Sequence, residues 1–118
     1  MHRADRLHVL KRVDRLAVDI YQISARFPDA ERYALSSQVR RAAVSIGSNI
    51  VEGASYGTSA GFVRHLRIAR GSLAEVAYQI RIARLVGYIS DEEQEAIDIA
   101  TQHIRRMLTG LISSLKAQ

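Results

Sequence analysis

Four apolar stripes, each built from spacings of three and four residues, constrain this chain more than any other feature. In the first segment Val9, Val13, Leu16, Ile20, Ile23 and Phe27 recur in that pattern, which puts them on one face of a helix. The second carries Val39, Ala43, Ile46, Ile50 and Ala54. The third carries Phe62, Leu66, Ala69, Leu73, Val76, Ile80 and Ala83, and the fourth Ile97, Ala100, Ile104, Leu108, Leu111 and Leu115. The spacing predicts an all-α fold, a four-helix bundle, and the short connections favour antiparallel neighbours. Its helices run over about residues 5–26, 36–56, 60–86 and 91–116 of one domain spanning residues 1–118.

Punctuation between the stripes agrees with these bounds. Pro28 is the only proline; it ends the first helix at Phe27, and one proline is too little turn punctuation for a many-turned β protein. Ser36 is expected to cap the second helix and Ser59 the third. Gly53 to Gly61 reads as a Gly/Ser/Thr-rich connection. Gly47 falls inside the second helix, where it costs about 1 kcal/mol against alanine and marks a kink or a close contact. Gly87 is placed to end the third helix in the left-handed conformation. Ser90 and Glu93 have capping-box spacing at the head of the fourth, where Asp91, Glu92 and Glu93 suit the positive end of the helix dipole.

The third helix carries a second seam on its other side: Ile68, Gly71, Glu75, Tyr78, Ile82 and Leu85. A helix of one isolated bundle needs one buried stripe, so two stripes call for burial on two sides. Another subunit is the simplest second cover, and self-association is expected.

Composition limits the chemistry. The chain has no cysteine, which removes thiolate catalysis, disulfides and cysteine-bound metals and fits a cytoplasmic location. No signal-like apolar core and no membrane-length apolar run occurs. His2, His8, His65 and His103 form no metal-ligand spacing and are expected to be solvated or partly buried. Glu75 is followed three residues on by Tyr78, where a carboxylate-bridged metal site of a helical bundle would need histidine. Gly53–Gly57 lacks the Gly-Lys-Ser/Thr ending of a phosphate loop, and Ser45, Ser48 and Ser55 have no histidine beside them in a triad pattern. No enzyme, metal or cofactor is expected.

Charge is the remaining functional signal. The net charge is +5, from 17 basic and 12 acidic residues, and 15 of the basic residues are arginine. Residues 61–87 hold five basic groups and one acidic, whereas residues 88–118 hold three and five. Arg40, Arg41, Arg64, Arg67 and Arg70, then Arg81 and Arg84, are the candidate nucleic-acid contacts, with His65 among the same basic groups. They would meet the phosphate backbone without reading bases, because no helix-turn-helix, zinc finger or aromatic stacking platform is legible. A polar stripe of Arg41, Ser45, Ser48 and Glu52, with Asn49 at its edge, runs along the second helix. It can serve a structural or inter-subunit polar network, a ligand or nucleic-acid contact, or solvation alone.

The run from Phe27-Pro28 through Glu31–Ala42 to Ser45–Gly53, continued by Phe62, Leu66, Gly71–Glu75 and Leu85–Ile89, resembles the 23S rRNA-intervening-sequence proteins, also called the four helix bundle protein family. The resemblance covers about residues 5 to 115. The family pattern usually has proline where Gly47 stands and acidic residues where Gly61 and Ala77 stand. The resemblance implies a homopentamer of up-down bundles. It also extends to the accessory variability-determinant proteins of diversity-generating retroelements, which implies nucleic acid and a reverse transcriptase as possible partners. Two functions are therefore carried forward: a non-enzymatic oligomer whose basic surface binds RNA or DNA backbone, and a protein-interaction scaffold whose arginines serve subunit and partner contacts.

Overall fold

The computed structural model of the chain describes residues 3–117. Four long helices account for most of them: α1 (Arg3–Ser24), α2 (Leu35–Ser55), α3 (Ser59–Leu85) and α4 (Asp91–Lys116), with a single 3-10 turn at Asp29–Glu31 between α1 and α2. No strand occurs among the described residues. Each helix packs on its neighbour in sequence, and α1 also meets α4, so the four close around one core. The whole measures 46 × 25 × 18 Å. The long dimension follows from α3, whose 27 residues at about 1.5 Å each run roughly 40 Å.

The stripes become the core. Val9, Val13, Leu16 and Ile20 of α1, Val39, Ala43, Ile46 and Ile50 of α2, all seven stripe residues of α3, and Ile97, Ile104, Leu108, Leu111 and Leu115 of α4 are buried together. Ile23, Ala54 and Ala100 sit at its edge, partly covered. Aliphatic side chains of similar size pack helix on helix without the voids that would cost stability.

The ends show which local signals held. Ser90 accepts the Glu93 N–H at 3.1 Å while Glu93 Oε1 accepts the Ser90 N–H at 3.0 Å, the reciprocal capping box expected there. Gly87 takes φ +87°, its N–H donates to the Arg84 carbonyl, and the Tyr88 N–H donates to the Ala83 carbonyl. This pair of bonds is the Schellman arrangement.

Two expected caps are different. Ser36 is not the cap of α2: it lies buried in the first turn, and Ala34 precedes the helix with no side-chain oxygen to offer. Glu31 reaches back instead, accepting the Leu35 N–H at 3.4 Å and the Tyr88 hydroxyl at 2.6 Å. That carboxylate holds the Tyr88 phenol above its ordinary value of 10.0, because ionisation would lose the hydrogen bond, as well as costing burial and opposing a like charge. Ser59 is not the cap of α3 either. Thr58 has the extended backbone of a cap residue, and its hydroxyl accepts the Gly61 N–H at 3.1 Å.

The Gly53–Gly61 connection shrinks to Tyr56–Thr58, since Gly53 and Gly61 both lie within helices. Gly57 makes the turn at φ +74°. Gly47 introduces no break in α2; a Cβ there would lie 3.4 Å from Val13 Cγ1, so it marks a close neighbour on α1 rather than a kink.

Candidate functional site

Gly53 sets the closest approach of α2 to α3. A Cβ at that position would fall 2.6 Å from His65 Cβ and 3.2 Å from Phe62 Cδ1, so only glycine lets His65 enter between the helices. His65 is consequently buried at 5% exposure and is not part of any basic surface, contrary to its grouping with the arginines. Its ring stacks on Tyr56, with centroids 5.0 Å apart.

The histidine ends a chain of polar contacts across α2 and α3. Asn49 Nδ2 donates to the Ser45 carbonyl at 2.8 Å and to Ser45 Oγ at 3.1 Å. Ser45 Oγ shares a 2.9 Å hydrogen bond with Ser72 Oγ. With its amide nitrogen so engaged, Asn49 presents Oδ1 to His65 Nδ1 at 3.0 Å, which makes Nδ1 the protonated nitrogen. His65 Nε2 is then a buried acceptor that meets no protein donor. Of the stripe on α2, Ser45 and Asn49 thus belong to an internal network. Arg41, Ser48 and Glu52 are exposed, and none of the three has a side-chain partner among the described residues.

The seam on α3 lies outside the core. Ile68, Gly71, Glu75, Tyr78 and Leu85 are exposed, Tyr78 at 62%, and Ile82 is half-buried. Glu75 accepts a 3.3 Å bond from Gln79 Nε2 one turn on.

The candidate arginines separate into held and free groups. Arg84 is held at the head of α4, donating to Gln94 and pairing with Asp91 at 3.3 Å. Arg40 ties α2 to the end of α1: Nε donates to Ser24 Oγ at 2.7 Å and Nη2 to the Tyr21 carbonyl at 3.3 Å. Arg70 donates to Thr109 Oγ1 at 3.2 Å. Arg41, Arg64, Arg67 and Arg81 make no hydrogen bond or ion pair among the described residues. Ion pairs among the described residues take up Arg15, Arg26 and Arg84.

Three clefts gather these cations. Arg64 and Arg67 of α3 and Lys116 of α4 line a cleft of about 820 Å³ that holds no carboxylate among the described residues. Arg81 and Arg105 line a second, between α3 and α4, together with Asp98, which moderates its charge. Arg40 and Arg41 line a third, with Arg32, Tyr21, Tyr33 and Ser37, again without a carboxylate. Lys116, Arg105, Arg32, Tyr21 and Tyr33 were not among the residues singled out from the sequence. The Arg32-Tyr33 pair was legible as adjacent residues, whereas Lys116 and Tyr21 reach their clefts only because the helices fold back on one another.

No group of three or more histidine, aspartate or glutamate side chains able to hold a metal occurs among the described residues. No helix of the described residues is long and apolar enough to cross a membrane. His2 lies outside the described residues.

Comparison with known proteins places the fold. The family model described as 23S rRNA-intervening sequence protein matches residues 5–110. A crystal structure of a protein of unknown function from the S23 ribosomal protein family of Bacteroides thetaiotaomicron superposes with a TM-score of 0.85. It is 25% identical and covers 92% of this chain, while this chain covers 98% of that one. No curated protein matches.

Proposed function

This chain belongs to the 23S rRNA-intervening sequence protein family, and we propose that it is a non-enzymatic, oligomeric, nucleic-acid-binding protein of the cytoplasm. The cleft of Arg64, Arg67 and Lys116 carries this proposal. Three cations line it with no carboxylate among the described residues, and two of them are guanidiniums that make no bond to a described residue. Guanidinium forks match phosphate oxygens in pairs. Nothing in that cleft offers an aromatic face or a base-reading pattern, so it would hold RNA or DNA backbone without regard to sequence.

Assembly is part of the proposal. The short connections favour an antiparallel up-down arrangement, and the uncovered ridge of Ile68, Gly71, Tyr78, Ile82 and Leu85 supports burial against a second copy. We take the closed form to be a homopentamer, as the family resemblance implies. Five copies at +5 give a formal charge of about +25, a strong field for a polyanion.

Binding to duplex DNA and structured RNA across a salt series tests this. Affinity should fall steeply with salt, and the doubly reversed variant Arg64→Glu/Arg67→Glu should bind more weakly with a duplex slope shallower by about 0.9 per lost phosphate contact. An unchanged slope in that variant would refute the cleft as the site. The same exposed ridge favours a second reading, a scaffold for a protein partner such as a reverse transcriptase. A saturable protein complex that survives nuclease treatment would decide for it.

A further inference from the structure

The concavity lined by Arg32, Arg40 and Arg41 differs in kind from the cleft on α3 and α4. It occupies about 700 Å³ where the end of α1, the Arg32-Tyr33 connection and the first turns of α2 meet. That lies within the usual range of small-ligand pockets. Three guanidiniums, two phenol rings and the hydroxyls of Ser37, Ser45 and Ser48 line it, with Val44. No carboxylate lines it among the described residues. Glu31 is occupied by Tyr88 and the Leu35 N–H, and Asp29 lines an adjoining, smaller cleft together with Arg32 and Arg40.

Its cations are graded in mobility. Arg40 is fixed by Ser24 and the Tyr21 carbonyl, with its guanidinium carbon 4.8 Å from the centre of the Tyr21 ring. It holds a positive charge in place before any ligand arrives. Arg41 is exposed and makes no bond within the chain, so it is free to close on an anion. Arg32 lies 5.5 Å over one face of the Tyr33 ring. Tyr33 itself is 87% exposed, more than any other large apolar side chain. A ring standing that far into solvent, between cations, leaves a flat apolar face open.

We infer that this concavity binds one unpaired nucleotide of an RNA or DNA strand, its phosphate held by Arg40 and Arg41 and its base stacked on Tyr33. Guanidinium forks supply the phosphate recognition, and every base offers a π-face to an aromatic ring, so stacking tolerates any sequence. A duplex keeps its bases stacked inside and cannot present one. Single strands, loops and ends can. This inference rests on the nucleic-acid reading and assigns it a second surface, one that tells single strands from duplexes.

The test uses the whole chain, anisotropy titrations and three fluorescein-labelled probes: an oligouridylate and an oligodeoxyuridylate of about ten nucleotides, within the usual single-strand site size, and a duplex. Tyr33→Ala should lower affinity for the single strands about 5- to 150-fold, the range of one base–aromatic stack, and leave the duplex within about 2-fold. Tyr33→Phe should keep single-strand binding, since it keeps the ring. Arg41→Gln should lower single-strand affinity and reduce the salt slope by about 0.7. A loss confined to one oligonucleotide would identify its sugar as the one accommodated. Equal affinity of Tyr33→Ala and the parent chain for single strands, with salt-dependent duplex binding intact, would overturn this inference and leave the proposed function standing. No binding of any probe by the parent chain would overturn both. A phosphoserine peptide that displaced the oligonucleotides at equal concentration would also overturn it, by showing that the base contributes nothing.

Discussion

Replacing Gly53 by alanine tests how tightly α2 and α3 are joined. The added Cβ would lie 2.6 Å from His65 Cβ, whereas carbon atoms in contact sit at about 3.5–4.0 Å. His65 Cβ is fixed to the backbone of α3 and cannot swing aside, so the helices must part by about 1 Å. Overpacking of this kind costs about 1–3 kcal/mol. The same movement strains the 3.0 Å bond from His65 Nδ1 to Asn49, and a buried polar group left without its partner costs a further 1–3 kcal/mol or so. Against this, alanine is favoured over glycine in a helix by about 1 kcal/mol. The net loss is about 1–5 kcal/mol. An unfolding entropy of about 2.1 cal/mol/K per residue over 118 residues turns that into a fall in Tm of about 4–20 °C. Thermal melts followed by circular dichroism read the shift directly. Gly47→Ala is the matched control, because its Cβ would meet Val13 Cγ1 at an ordinary 3.4 Å; it should raise Tm by up to about 4 °C. A Gly53→Ala protein as stable as its parent would refute the close approach of α2 to α3, and with it the account of why His65 is buried.

Two further perturbations address separate parts of the fold. Glu93 is held below its ordinary value of 4.5, first by the Ser90 N–H and then by Arg26. A depressed folded-state value means that its contribution is present above about pH 4.5 and is lost as pH falls through the lower folded value. Glu93→Gln should therefore narrow the difference in denaturant stability between neutral and acid pH, and Ser90→Ala should cost about 1 kcal/mol near neutrality; a parent-like pH profile in the glutamine variant would refute the assignment. Gly71 and Gly110 both have open space where a Cβ would go, so alanine at either should stabilise the isolated chain by up to about 1 kcal/mol. If the ridge on α3 packs against another copy, Gly71→Ala and Ile82→Asp should lower the solution mass measured by light scattering while Gly110→Ala leaves it unchanged. Native mass in all three would remove the ridge from the assembly.

The helices were legible because their determinants are local. An apolar residue every three or four positions fixes a face whatever that face packs against, and Ser90-Asp91-Glu92-Glu93 carries a complete helix start within four residues. The fold decided what depends on distances between segments. Thr58 rather than Ser59 caps α3 because the backbone turns extended one residue earlier. Ser36 is drawn into the interior, and a carboxylate four residues upstream takes over at the start of α2. His65 reads as one more basic group in a run of arginines until Gly53 opens the space that buries it. Tyr21 and Arg40 are 19 residues apart and meet only because α2 turns back across the end of α1. The sequence determined four helices and the faces they bury, because helical periodicity is written in near neighbours. Which cations stand free, and which of them share a cleft with an exposed ring, was decided by tertiary packing, because that depends on how closely one helix can approach another.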